Sequence, residues 1–258
     1  MHSRVENIKN MMIGKEFQTK RKGKCFIIDY KGYNNVLVKF YEPSCEVSCQ
    51  MQALKNGNVS NPLYPSVYKN GFIGIGEYSS KDEGLYCLWK SMLLRSYDDK
   101  YHEKYPTYKD VEVCDEWLNF QNFADWCSKQ KFFNAKDAKE RPYHLDKDIV
   151  VKGSKIYSPN TCSFVPSEVN TLLLKRGKSR GVCLIGVSKH EPTGSYLANV
   201  KHSGRNVHLG SYCTENEAFQ AYKLAKEAYI KEVAEKWRGK IDDKVYQALL
   251  TYQVETTD

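Results

Sequence analysis

The chain has 258 residues, a formal charge of +8 and a mean hydropathy of −0.62. With 41% hydrophobic and 13% aromatic residues it carries enough apolar side chains for about two or three small folded domains, which excludes a disordered chain. It has no run of about 18 apolar residues, so no membrane-spanning helix is predicted, and the positive charge suits a polyanionic partner.

The amino-terminal stretch MHSRVENIKNMMIGKEF lacks the apolar core of a signal peptide. Residues 1–40 hold nine Lys or Arg against three acids, a local excess of six positive charges. Residues 1–60 read as a small β unit, with strands at Cys25–Tyr30, Val36–Tyr41 and Ser48–Leu54. The run Lys20-Arg21-Lys22-Gly23-Lys24 reads as a solvated loop or a phosphate-contacting arm. Residues 61–77, with Pro62, Pro65, Gly71, Gly74 and Gly76, form a loop. Apolar spacing then predicts helices over Gly84–Tyr97 and Glu116–Gln130, the second burying Trp117, Phe120, Phe123, Ala124 and Cys127.

Nine cysteines contain no C-x-x-C pair, and the odd count without an export signal points to reduced thiols in the cytoplasm. Cys45 and Cys49 would make half a zinc site, but no second pair of ligands follows nearby.

The middle of the chain holds the one plausible catalytic constellation. His144, Asp146 and Asp148 alternate, so a strand through all three would point them to one side. Lys152-Gly153-Ser154-Lys155 reads as a hairpin turn, and Glu168 and Asn170 lie on a following helix. Two strands and a helix that gather His, Asp and Asn make a ββα metal site. Carboxylate and amide oxygens are hard donors, so one Mg²⁺ or Mn²⁺ is expected rather than zinc.

Past the basic stretch LLLKRGKSRG, the segment from Gly186 reads as three strands and a helix. Tyr196, Ala198 and Val200 alternate with Leu197, Asn199 and Lys201, and residues 202–206 form a turn. Gly210 is read as the end of the third strand. Thr214 and Glu217 make a capping box for a helix that carries Ala218, Ala221, Tyr222, Ala225 and Tyr229 on one face. Between Leu173 and Ser211 the basic residues are Lys175, Arg176, Lys178, Arg180, Lys189, Lys201 and Arg205, against the single acid Glu191. A basic, hydrogen-bonding strand surface suits the DNA major groove. The expected contacts are Lys178, Arg180, Lys189, Tyr196, Asn199, Lys201, Arg205 and His208, with His190 and His202 beside them. Residues 241–258 form a tail with a helical pattern to about Tyr252.

The frame GVS…TGSYLANV…HLGSY…EAFQAY resembles the ethylene-response-factor (APETALA-type) DNA-binding domain, with Tyr196 at the usual tryptophan position. Residues 85–172 resemble the HNH endonuclease superfamily, especially its phage-borne and homing members. The resemblance rests on LWKSMLLRSYD, YPTYKDVEVCDEWLNFQNFADW, LDKDI and YSPNTCSFVPSEVN. It implies a metal-binding carboxylate at Asp146 and a second ligand at Asn170, and it puts Lys147 where active members carry the general-base histidine. A lysine is a poor base at neutral pH. His144 would replace it, with Asp146 and Asp148 as metal ligands if the strand is shifted. Thr161 and Phe164 also depart from the family pattern.

The expected architecture is therefore α+β. A small β unit (1–60) precedes an HNH-like ββα-metal domain with flanking helices (61–174). A three-stranded sheet packed on one helix (180–240) and the tail follow. The implied activity is site-specific cleavage of double-stranded DNA, as a nick or, in a homodimer, through both strands. Loss of catalysis with DNA binding retained is the alternative.

Overall fold

A computed structural model describes residues 2–20, 23–173, 183–256 and 258. It is a mixed α+β protein with several small sheets. The chain divides into two compact units, Met1–Ser128 and Lys129–Asp258. Among the described residues no helix is long and apolar enough to cross a membrane. The nine cysteines form no disulfide.

In the first unit, helix α1 (His2–Met12) precedes an antiparallel sheet of β1 (Glu16–Gln18), β2 (Lys24–Gly32), β3 (Asn35–Phe40) and β4 (Cys45–Cys49), in that order. Period-2 alternation places Cys25, Ile27, Val36, Val38 and Phe40 in its core. The strand expected over 48–54 is instead β4 followed by helix α2 (Met51–Lys55), because Met51 and Leu54, three residues apart, both bury on that core.

After an irregular stretch, Asp82 caps α3 (Glu83–Tyr97) by accepting from the Leu85 N–H. Then come α4 (Asp99–Lys104), a 3₁₀ turn (Pro106–Tyr108), β5 (Glu112–Val113), α5 (Asp115–Leu118) and α6 (Phe120–Ser128). The helix expected over 116–130 is thus broken at Asn119. There the backbone of Phe72 takes both freed groups: its N–H donates to Leu118 O at 2.9 Å and its carbonyl accepts from Phe120 N at 3.0 Å. Trp89, Trp117, Phe120 and Phe123 are fully buried, and the indole of Trp89 donates to Trp117 O at 2.7 Å.

The second unit opens with irregular chain to residue 143. Strand β6 (His144–Asp146) and β8 (Ser163–Val165) pair antiparallel around a loop that contains β7 (Ile156–Tyr157), and α7 (Ser167–Leu172) follows. Next come β9 (Val187–His190), β10 (Ser195–His202) and β11 (Arg205–Tyr212), an antiparallel sheet of order β11-β10-β9. The β10–β11 turn is only Ser203-Gly204, both in the left-handed region, as a two-residue hairpin needs. The third strand runs past Gly210 to Tyr212, because Leu209 is the extra residue of a bulge. Helix α8 (Glu215–Lys236) starts at the Thr214/Glu217 capping box and packs on the sheet, and α9 (Asp243–Leu250) follows.

One apolar cluster ties this unit together. Val165, Val169 and Leu172 from the β8–α7 segment share it with Val200 of β10, Phe219 and Ile230 of α8, and Val245 and Leu249 of α9. The strand pair and the three-stranded sheet are two parts of one core.

Candidate functional site

The β6–β8 register sets His144 opposite Val165 and Asp146 opposite Ser163, so His144 and Asp146 share one face of the pair. Leu145 and Phe164 point to the other face and are buried. His144 is exposed, and Asp146 is half-buried. The strand ends at Asp146. Its Oδ1 then accepts the N–H groups of Asp148 and Ile149, each at 2.9 Å, which turns the chain. Asp148 therefore does not continue the alternation: it sits beyond the turn, exposed, with its carboxylate 2.5 Å from Lys147 Nζ.

Lys147 is only 7% exposed. Its ammonium also donates to Ser154 O at 2.9 Å and lies 5.7 Å from the centre of the Tyr157 ring. The expected turn at 152–155 falls one residue earlier, with Ser154 N donating to Val151 O at 3.0 Å. Lys147 thus closes the 147–154 loop against its own strand.

Asn170 lies on α7, which packs against β6, and it is half-exposed between the buried Val169 and the end of the helix. Glu168 on the same helix is engaged elsewhere. Its Oε2 accepts from Lys236 Nζ at 2.7 Å and from the Trp237 indole at 2.8 Å.

Burial raises the Asp146 carboxyl above the ordinary aspartate range, against the pull of the two amides and Lys147. Burial also pushes the neighbouring Cys162 thiol up to about 12, so it is a protonated thiol at neutral pH and no thiolate ligand. Among the described residues no three His, Cys, Asp or Glu side chains gather as a metal-binding group. Of the two ligands expected from the sequence, Asp146 offers a carboxylate and Asn170 an amide, oxygen donors of the kind that suit Mg²⁺ or Mn²⁺ better than zinc.

The second surface is the three-stranded sheet. Ala198 and Val200 are buried beneath α8, so the even positions of β10 face the helix. His202 does too: its ring lies 4.3 Å from that of Tyr229, and Nε2 is 2.8 Å from Glu232 Oε2. The open face carries the odd positions and their partners across the ladder. These are Asn199 and Lys201 of β10, His208 and Asn206 of β11, and Ser188 and His190 of β9. His208 Nδ1 and Asn199 Oδ1 are 3.2 Å apart, a cross-strand polar pair.

Of the expected DNA contacts, Asn199, Lys201 and His208 are thus together on the open face. By register, Lys189 and Tyr196 pair with each other on the helix side, and Arg205 pairs with His202 there, although Lys189 and Arg205 remain exposed at the sheet's margins. Lys189 Nζ is 3.6 Å from Glu191. Lys178 and Arg180 lie outside the described residues, as do Lys175 and Arg176. Sequence reasoning passed over Ser188 and Asn206. Strand parity would have found both, once the Ser203-Gly204 turn fixed the register of Asn206 and the 191–194 turn that of Ser188.

Comparisons with models of protein families, with curated proteins and with solved structures return no match.

Proposed function

We propose that this chain is a DNA-binding, metal-dependent endonuclease of the HNH type. Asp146 and Asn170 would hold one Mg²⁺ or Mn²⁺, and His144 would be the base that takes a proton from the attacking water. The cation would supply positive charge to a phosphodiester and its leaving oxygen. His144 suits the role because it is exposed and shares a strand face with Asp146. The open face of the β9–β11 sheet, with His190, Asn199, Lys201, Asn206 and His208, would enter the major groove of double-stranded DNA. One such site nicks a strand, and a homodimer would cut both.

The observation that carries this reading is the shared core. The strand pair with His144 and Asp146 and the sheet with the polar open face are packed into one apolar cluster, so a base reader and a cutting site would sit at fixed separation.

A second reading, a DNA-binding protein without cleavage, is favoured by the Lys147–Asp148 pair. It commits two of the expected site residues to closing a loop.

The test is cleavage of long duplex DNA in Mg²⁺ or Mn²⁺ by the full chain, by Asp146→Ala and by His144→Ala. Discrete products from the first and none from the variants support the endonuclease. Salt-sensitive binding without products in any of the three retires it in favour of the second reading.

A further inference from the structure

We infer that residues 252–256 and 258 form a strap whose grip on Lys152 positions Asp146. The strap itself stands on contacts alone, and its consequence for catalysis rests on the endonuclease reading above. Lys152 lies in the 149–153 turn that follows Asp146. Its Nζ donates to Gln253 O at 2.8 Å and to Asp258 Oδ2 at 2.9 Å, and is 3.3 Å from Glu255 Oε2. It also lies 4.7 Å from the centre of the Tyr252 ring. Asp258 Oδ2 in turn accepts from Tyr252 OH at 3.1 Å and from Glu255 N at 3.0 Å, so Tyr252, Glu255 and Asp258 are tied together around the ammonium.

The strap is anchored on its other side by α8. Lys223 Nζ donates to Val254 O at 2.7 Å, and Val254 N donates to Glu227 Oε1 at 2.8 Å. Val254 is itself buried in the shared core.

From Lys152 the contacts run to the site in four steps. Val151 O accepts from Ser154 N, and Ser154 O accepts from Lys147 Nζ at 2.9 Å. Lys147 holds Asp148 at 2.5 Å. The amides of Asp148 and Ile149 hold Asp146 Oδ1, each at 2.9 Å. Both amides lie within the gripped loop, so the orientation of the Asp146 carboxylate depends on that loop keeping its shape. Lys152 and Asp258 would be positioning residues, acting on Asp146 through the loop. Groups that orient a ligating carboxylate commonly change metal affinity by roughly 10- to 100-fold when removed.

The experiment uses Lys152→Met in the full chain, which keeps the apolar stem on Tyr252 and removes the ammonium. Hydrogen exchange at the Asp148 and Ile149 amides should quicken by roughly tenfold, with the helices of the first unit unchanged. The Mn²⁺ concentration for half-maximal DNA cleavage should rise by roughly tenfold or more, while DNA affinity in chelator stays the same. Unchanged exchange at both amides overturns the strap whatever the DNA chemistry. Faster exchange with an unchanged Mn²⁺ requirement overturns its link to Asp146. A wild-type chain that does not cleave overturns the endonuclease reading, and the strap then stands or falls on the exchange result. Asp258→Asn, which removes charge at the other end of the contact, gives the same readouts if Lys152→Met yields too little folded protein.

Discussion

Gly186→Ala is expected to destabilise the second unit by about 3 kcal/mol. Gly186 has φ +76°, a left-handed conformation that costs an L-residue roughly 1–2 kcal/mol. A β-carbon there would lie 2.0 Å from Tyr222 Cδ2 and 2.2 Å from Cγ. Tyr222 is buried, so ring or strand must shift, an overpacking that costs roughly 1–3 kcal/mol. The two contributions together give the figure. Gly186 O also accepts from Asn199 N at 2.9 Å, so displacement of residue 186 disturbs the backbone beneath the open face. Urea unfolding measures the effect: the midpoint of the second unit should fall with no change in slope. The decisive arm is a double-mutant cycle with Tyr222→Ala. With the ring gone the three nearest contacts of the added methyl are removed, so Gly186→Ala should then cost little beyond its backbone part, roughly 1–2 kcal/mol. Strict additivity of the two changes would refute the glycine–ring contact as the cause.

Lys201→Gln tests the open face. Lys201 is exposed there, and if it neutralises a DNA phosphate, its loss should weaken binding evenly across sequences and flatten the slope of log K against log salt by about 0.9. An unchanged slope would remove Lys201 from phosphate contact. Asp146→Asn should abolish cleavage and also reveal the buried charge. The carboxyl is raised in the fold, so its contribution to stability is full below the unfolded value near 3.9 and is lost as pH rises through the folded value. The asparagine variant has no such loss and its amide oxygen still accepts the two N–H groups. Its melting temperature relative to wild type should therefore climb as pH rises above about 4 and level off once the wild-type carboxyl has ionised in the fold. A constant difference across that range would mean that Asp146 is not desolvated.

The parts legible in the sequence were those written locally. The capping box at Thr214 and Glu217 forms as read, with Glu217 N donating to Thr214 Oγ1 at 3.3 Å and Thr214 N donating to Glu217 Oε2 at 3.0 Å. Period-2 alternation located β2, β3 and β10, and helical spacing located α3 and the aromatic core of α6. What escaped was set by partners distant along the chain or by single turns. The break at Asn119 depends on Phe72, which no pattern around residue 119 announces. The Asp146 side chain ends its own strand by taking two amides ahead of it, so the His-x-Asp-x-Asp spacing read as one face splits into a strand and a turn. A sequence shows that Lys147 is charged, but not that Ser154 O and Asp148 wait to receive it.

The strand pair and the sheet have different implied roles, yet they are not independent bodies. Val165 of β8 stands opposite His144 and is fully buried in the cluster that also holds Val200, the residue between Asn199 and Lys201 on β10. Helix α8 serves both: Phe219 and Tyr222 lie in the shared cluster beneath the sheet, while Lys236 and the adjoining Trp237 clamp Glu168 of α7. The interior is close-packed, so a volume change at any of these positions is felt at both surfaces. Substitutions in this core would therefore disturb the open face and the Asp146 strand pair together. Changes at exposed groups, Lys201 on the open face and His144 on the strand pair, leave that core in place and test one surface at a time.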